Sequence, residues 1–195
     1  MVEPDIAPVA DDPGEKDGGG LRNTIEWVAI VVGAFAVALL VKTFLIQAFY
    51  IPSESMFPAL TKNDRVLVNK LSYELHDINR GDLVVFERPP EEPDSAVRDL
   101  IKRVIALEGE TIEGRGGVIH IDGDPLEEPY LQPGVVADAG SCGLTRMVIP
   151  DGHVFVMGDN RGSSRDSRCF GAIHADLIVG RAFVKVWPVF DFELL

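Results

Sequence analysis

Apolar residues form one long run near the start of the chain and many short runs after it. Every residue from Trp27 to Val41 is apolar or glycine, and the apolar character resumes after Lys42 and Thr43. A bilayer core of about 30 Å needs about 20 residues of helix, and a lysine near the end of a span can extend its amine to the interface. The pattern predicts one transmembrane helix over residues 24–46.

The residues before this run have the composition of a disordered tail. Residues 1–23 hold three prolines, a run of three glycines and several acids, with almost nothing large and apolar to bury. The alternative is a cleaved secretory signal, but the segment before the run is acidic and no pair of small residues follows it. We therefore predict an uncleaved anchor.

Basic residues beside the run indicate its orientation. The tail supplies Lys16 and Arg22, whereas no basic residue lies between Lys42 and Lys62 on the other flank. Lysine and arginine accumulate on the cytoplasmic side of a span. The bias predicts a single pass through the cytoplasmic membrane, with a cytoplasmic tail and with residues 47–195 on the far side.

After the anchor, short apolar runs alternate with turn residues, which is typical of β-strands. The runs lie at residues 65–68, 82–86, 100–105, 153–157 and 182–187. The pair Gly116 and Gly117 predicts a hairpin. We predict a mostly β fold with antiparallel sheets, in which residues 47–195 form a partly closed, barrel-like domain and a smaller accessory β segment occupies about residues 110–152.

The composition excludes two classes of function. With 31 acidic residues against 18 basic ones and a net charge of −13, the chain lacks a basic surface for nucleic acid phosphates. Cys142 and Cys169 lie far apart, and the four histidines show no ligand spacing. We expect no metal, no cofactor and no nucleic acid partner.

Two serines just after the anchor are candidates for chemistry. Ser53 and Ser55 lie between Pro52 and Pro58. Taken alone, such a segment is more often a turn whose hydroxyls bond to the backbone. A serine nucleophile also needs a base.

The strand near residue 102 contains a candidate base. Side chains alternate along a strand, so Lys102 and Arg103 lie on opposite faces and one of them faces apolar neighbours. Arginine is not a base at ordinary pH, whereas a lysine kept from water loses its proton more readily. At an ordinary pKa of about 10.4, only about one lysine in a few thousand is neutral at pH 7. The alternative is a charged lysine on a solvated strand edge.

A dense polar stretch follows the strand at residues 153–157. Its hydroxyls and its Asp/Arg pair suit a rigid loop that orients a neutral lysine amine. In this interpretation Ser164 bonds to Lys102, while Asp166 and Arg168 form a charge-assisted pair beneath them. A plain turn is the alternative.

Motifs along the chain resemble, in order, those of bacterial type I signal peptidases. They are SESMFP at residues 53–58, DRVLVNK at 64–70, RGDLVVF at 80–86, KRVI at 102–105, and the stretch from GDNR to SR at 158–168. The family also places one or two membrane helices before the first motif. The resemblance implies a Ser/Lys serine protease domain on the far side of the membrane.

The resemblance assigns a role to each candidate. Ser55 is the nucleophile and Lys102 is the general base, in a variant of the Ser-His-Asp scheme. The Ser53 hydroxyl and the Ser55 amide form the oxyanion hole. Three further residues support the site, namely Ser164, Asp166 and Arg168.

The family's substrates are exported precursor proteins, from which signal peptides are cut after small residues in Ala-x-Ala sites. The peptide binds in an extended conformation, and we expect contacts from Phe49, Ile51, Pro52 and Ile101. Membrane lipid is the second expected partner. The aromatic residues between 183 and 192 either pack in the core or contact lipid.

Two alternatives stay open in the sequence. Cys142 and Cys169 are not family hallmarks, and they form either a disulfide, as the exported location allows, or two buried thiols. The rival function is a catalytically inactive, membrane-tethered β-rich adaptor that binds exported peptides along a sheet edge. A self-cleaving repressor with a related Ser/Lys fold is discounted, because an apolar span occupies the place of its DNA-binding segment.

Overall fold

The computed structural model describes residues 19–92, 97–140 and 142–195, so that most of the predicted tail lies outside the described residues. Helix α1 spans Gly19–Leu40, and its part Asn23–Leu40 is long and apolar enough to cross a membrane by length and composition. A turn of π-helix at Val41–Leu45 follows. The first strand begins directly afterwards, at the last residue of the predicted span.

Antiparallel β-strands dominate the rest of the described chain. Their bounds are β1 Ile46–Tyr50, β2 Arg65–Asn69, β3 Leu83–Glu87, β4 Asp99–Ala106, β5 Thr111–Arg115, β6 Val118–Ile121, β7 Asp124–Pro125, β8 Met147–Val148, β9 His153–Met157, β10 Ile173–His174, β11 Ile178–Trp187 and β12 Glu193–Leu194. Short helices lie at Ser72–Leu75 (α2) and Ser167–Phe170 (α3), with 3-10 turns at Arg161–Ser163 and Ala175–Leu177. The predicted mostly β, antiparallel fold is confirmed.

The large sheet has the strand order β1-β2-β11-β3-β4-β9-β10, with β12 beside β11, and curls into a half-barrel. Its central strand β3 is buried on both faces, since Leu83 and Val85 join one apolar cluster and Val84 and Phe86 join another. Successive side chains of a strand point to opposite faces, so an uninterrupted apolar run suits this position. Strand β4, which carries the candidate base, pairs directly with β3.

The accessory segment forms a small sheet of its own, in the order β7-β6-β5-β8. Its Ile112 and Ile119 share a fully buried cluster with Ile105 and Phe155 of the large sheet. Burying each such side chain contributes about 1.5–3 kcal/mol. The two sheets are therefore joined by a common core, and Val41–Leu195 forms one compact unit.

Candidate active site

Ser55 lies in a turn between β1 and β2 that is fastened at both ends. The Ile51 N–H donates to the Asp64 carbonyl at 2.9 Å, which closes the base of the loop. Met56 and Leu60, on the far side of the turn, are fully buried. These apolar anchors hold the half-buried Ser55 at the edge of the core.

Lys102 approaches Ser55 from the middle of the half-barrel. It lies opposite Val84 of β3 and is only 4% exposed. The Lys102 ammonium donates a hydrogen bond to Ser55 Oγ, with 2.6 Å between Nζ and Oγ. Of the two adjacent cations in this strand, Lys102 is therefore the one that turns toward the candidate nucleophile.

Burial lowers the pKa of Lys102 to about 8. The nearby Asp166 carboxylate acts in the opposite direction, because it favours the ammonium form. With a pKa of about 8, about one lysine in ten is neutral at pH 7, and the neutral amine can accept the proton of the serine. The pair thus has the chemistry of an activated nucleophile.

A mainly apolar cleft of about 280 Å³ lies beside this pair. The end of β1, the turn after it and the beginning of β4 form its walls. All the residues predicted to contact a peptide line the cleft, namely Phe49, Ile51, Pro52 and Ile101. These residues belong to two segments that are about 50 residues apart in sequence, and the fold brings the segments together at one cleft. A peptide that adds to the sheet as a strand needs a cleft of this kind.

Ser53 is exposed, and its hydroxyl donates to Ser55 Oγ over 3.3 Å. In this geometry the Ser53 hydroxyl contacts the candidate nucleophile itself. Its predicted role in the oxyanion hole requires the hydroxyl to rotate toward a substrate oxygen.

The loop after β9 binds the backbone of the candidate nucleophile. The Asn160 N–H donates to the Ser55 carbonyl at 3.0 Å, and Asn160 Nδ2 donates to the Glu54 carbonyl at 3.1 Å. Gly158 permits this approach, because a Cβ there would lie 2.4 Å from the Ser55 carbonyl oxygen and 2.2 Å from Ser164 Oγ. Neither Gly158 nor Asn160 was assigned a role from the sequence, although both belong to the GDNR motif.

Asp166 and Arg168 pair with each other beneath this loop. Arg168 Nε and Nη2 donate to the Asp166 carboxylate at 2.8 and 2.7 Å, and both side chains are almost fully buried. Burial opposes the charged form of Asp166, yet the Arg168 guanidinium holds its pKa below the ordinary value. Asp166 is therefore an anion, which favours the cationic form of Lys102.

Ser164 differs from its predicted arrangement. Its hydroxyl is buried and makes no bond to Lys102; it lies beside the Asp166 carboxylate instead and helps to lower the pKa of that group. The Lys102 amine bonds to Ser55 instead, while Ser164 Oγ packs against Gly158. The predicted bond from Ser164 to Lys102 is thus absent from this geometry.

Two further links fasten the loop. Arg103, on the face of β4 opposite Lys102, donates to both carboxylate oxygens of Asp159 at 2.9 and 2.7 Å. Cys142 of the accessory segment forms a disulfide with Cys169 in α3, so of the two open alternatives the structure contains the disulfide. The disulfide was one of the two alternatives that the sequence left open, whereas the pair of Arg103 and Asp159 was not predicted, because these residues are 56 positions apart along the chain.

Comparison with known proteins identifies the relatives of this chain. The family model described as signal peptidase, peptidase S26, matches residues 24–187. The chain is 40% identical over 167 residues to "Probable signal peptidase I-1" of Synechocystis sp., covering 84% of this chain and 82% of that protein. It is 39% identical over 189 residues to "Signal peptidase I" of Leptolyngbya laminosa, covering 95% and 88%.

More distant relatives share the same description. The chain is 31% identical over 185 residues to "Signal peptidase IB" of Staphylococcus aureus, covering 88% of this chain and 94% of that protein. A crystal structure of a signal peptidase I from Enterococcus faecalis V583 superposes with a TM-score of 0.44 and 27% identity, over 54% of this chain and 97% of that one. The family match and the sequence relatives extend over most of the chain. The chain therefore belongs to the signal peptidase family, peptidase S26, as a serine endopeptidase of the signal peptidase I type.

Proposed function

We propose that this protein removes N-terminal signal peptides from exported precursor proteins through an acyl-enzyme, with Ser55 as nucleophile and Lys102 as general base. The observation that carries the proposal is the 2.6 Å contact between Lys102 Nζ and Ser55 Oγ at a lysine that is almost fully buried. Burial disfavours the charged form of a lysine. It therefore lowers the stability of the fold, but it favours the neutral amine that a general base needs.

The reaction uses the groups around this contact. Neutral Lys102 accepts the Ser55 hydroxyl proton as Oγ attacks the scissile carbonyl, and the Ser55 N–H and Ser53 hydroxyl stabilise the oxyanion. Loss of one such donor typically costs about 10²- to 10³-fold in kcat. The Lys102 ammonium, favoured by Asp166, then donates its proton to the leaving amine. Water activated by Lys102 finally hydrolyses the acyl-enzyme.

The cleft suits an extended peptide with small side chains. Strand β9 pairs with β4 from Arg103 onward, so the beginning of β4 at Asp99–Lys102 lies beyond that pairing. A peptide added as a strand along this part of β4 would place its scissile carbonyl near Ser55. The apolar lining by Ile51 and Ile101 supports pockets for small residues, as in Ala-x-Ala sites.

We further propose that α1 anchors the enzyme in the cytoplasmic membrane, with the tail in the cytoplasm and the catalytic unit on the other side. Exposed aromatic residues of that unit support contact with lipid. Tyr50 and Trp187 lie in one row of the sheet, on either side of Arg65, and both are exposed. Phe190 and Phe192 are even more exposed. Trp187, Phe190 and Phe192 therefore do not pack in the core. Exposed aromatic side chains of this kind suit the membrane interface.

The test is cleavage of a purified precursor with an Ala-x-Ala site, in detergent, by the full chain. We expect the wild type to cut after the second alanine, and Ser55→Ala and Lys102→Ala to be inactive while still folded. Lys62→Ala, at an exposed lysine close to Ser55 in sequence, is the control that keeps its activity. An active Lys102→Ala protein would show that the base is misassigned, and an inactive wild type would favour the peptide-binding adaptor.

A further inference from the structure

A buried ion pair connects the accessory segment to the catalytic loop. Arg161 is 1% exposed and is the largest of the fully buried side chains in the described chain. Its guanidinium donates to both carboxylate oxygens of Glu128, whose side chain is 5% exposed, with 3.1 Å between Nη1 and Oε2. Burial opposes the charge of Arg161, but Glu128 raises the pKa of the guanidinium overall. Arg161 is therefore charged.

Arg161 uses its remaining donors to brace the turn that it belongs to. Arg161 Nε donates to the Gly158 carbonyl at 3.1 Å, and Nη1 donates to the Ala137 carbonyl of the accessory segment at 2.7 Å. A guanidinium presents its donors in a rigid fork, so holding one end with a carboxylate fixes the direction of the others. Glu128 thereby sets the position of the turn from Gly158 to Arg161.

A second contact reaches the same turn by another route. The Tyr130 hydroxyl donates to Glu128 Oε1 at 2.8 Å, and the Tyr130 ring lies 4.1 Å from the guanidinium carbon of Arg103. Arg103 in turn holds both oxygens of Asp159. Glu128 is thus connected to two residues of the turn, Asp159 and Arg161.

The turn from Gly158 to Arg161 also holds the proposed nucleophile, because Asn160 donates to the Ser55 and Glu54 carbonyls. We propose that Glu128 is a positioning residue for cleavage, which acts through Arg161 and the turn to hold Ser55 at the distance that Lys102 requires. This inference rests on the proposed function. It means that the accessory segment contributes to catalysis as well as to the hydrophobic core.

The test compares kcat and KM of the full chain with those of Glu128→Gln, of the double variant Glu128→Gln with Arg161→Met, and of Glu127→Gln. Glu127 is the exposed neighbour of Glu128 and serves as the matched control. We expect Glu128→Gln to lower kcat by about 10- to 100-fold with little change in KM, because small misplacements of reacting groups have effects of this size. Glu127→Gln should behave as the wild type.

The double variant separates positioning from stability. Glu128→Gln leaves a buried, uncompensated guanidinium and should lower Tm, whereas the double variant removes both charges and should recover most of that loss. If Glu128 positions the turn, kcat stays low in the double variant although Tm returns. If kcat returns together with Tm, Glu128 is merely structural and the inference is overturned.

The pH profile supplies a second readout. Glu128 does not contact Lys102, so the midpoint of kcat/KM against pH should stay at the wild-type value in Glu128→Gln while the plateau falls. A midpoint that moves up toward the ordinary lysine pKa would instead mean that water has reached Lys102, and the positioning role would be wrong. Wild-type kcat within twofold in a folded Glu128→Gln protein would overturn this inference alone. An inactive wild type would overturn the proposed function as well.

Discussion

At the scale of single residues, the burial of Lys102 lowers the stability of the fold but favours the neutral amine that the proposed chemistry needs. Burial lowers its pKa from 10.5 to about 8. Between these two values the unfolded chain binds more protons at this position than the folded protein does, so this group makes the protein more stable as the pH rises. With Lys102 as the proposed general base, the pH dependence of cleavage and that of stability should both depend on this residue.

Cleavage should rise with pH through a midpoint near 8. Lys102 must be neutral to accept the Ser55 proton, so kcat/KM should increase about tenfold per pH unit below the midpoint and level off above it. Initial rates on an Ala-x-Ala precursor across this range measure the midpoint. A value near 10, which is typical of a solvated lysine, would contradict the burial of the amine.

Lys102→Met should abolish cleavage and stabilise the fold at neutral pH. Below pH 8 the folded state carries the cost of a buried charge, on the order of 3 kcal/mol from the shift in pKa, and an apolar side chain of similar length removes this cost. The advantage should shrink as the pH rises from 8 to 10.5, because the wild-type lysine then loses its proton. Denaturant unfolding at both ends of this window provides the free energies. A variant that is less stable than the wild type at neutral pH would refute the prediction.

At the scale of elements, the loop between β9 and α3 organises the site. It holds the Ser55 backbone through Asn160 and supplies the Asp166 carboxylate near Lys102. The Gly158 N–H also donates to Asp166 at 3.0 Å, so the two ends of the loop are fastened to each other. Its shape is therefore as important for activity as its side chains.

Gly158→Ala should disable the enzyme. The added methyl group would meet the Ser55 carbonyl at 2.4 Å and must push the nucleophile or the loop aside. A displacement of about 1 Å can cost about 10²-fold in rate. Gly162→Ala in the same loop is the matched control, since its Cβ meets nothing within 4 Å. Equal kcat/KM for the two variants would show that the close approach at Gly158 is unimportant.

The disulfide should contribute to the stability of this element. Cys142 and Cys169 are 27 residues apart, and closing a loop of this kind typically stabilises a fold by about 2–4 kcal/mol. Replacing both cysteines with alanine should lower the free energy of unfolding by about 2–4 kcal/mol, as measured by urea denaturation. Adding a reductant should destabilise the wild type and leave the double variant unchanged. An equal response of both proteins would mean that the reductant acts elsewhere.

At the scale of the whole molecule, the chain contains an apolar helix and a catalytic unit whose two sheets share one core. In the proposed function, the helix anchors the protein in the membrane and the catalytic unit cleaves the precursor. A precursor's cleavage site follows an apolar segment of its own, so such an anchor would raise the effective concentration of the substrate.

Charges in the middle of α1 should release the protein from membranes. Val31→Arg combined with Phe35→Asp places two charges in the span, each costing about 2.5–3.5 kcal/mol at a helix centre. The wild type should remain in the membrane pellet after alkaline extraction, and the double variant should appear in the supernatant. Val135→Arg with Val136→Asp, at exposed valines of the catalytic unit, is the control that stays in the pellet. Release of the wild type itself would argue against an anchor.

Much of this protein could be predicted from its sequence, because much of it depends on local patterns. The long apolar run predicted the helix, and the short apolar runs predicted most of the strands in the large sheet. The motifs around Ser55 and Lys102 identified the pair that the structure places 2.6 Å apart. Such features follow from residues that are neighbours in sequence, where periodicity and composition carry the information.

Only the tertiary structure decided how distant residues meet. It showed that Arg103 pairs with Asp159, and that the Ser164 hydroxyl makes no bond to Lys102. It also joined Glu128 to Arg161, which are 33 residues apart. A strand pattern shows that the side chains of neighbouring residues point to opposite faces, but it does not show which face becomes the interior. Which buried charges pair with each other depends on how the two sheets pack together. For this reason the sequence by itself determined the apolar helix, most of the strands and the family, whereas the contacts around Ser55 and Lys102 emerged only when the chain was folded.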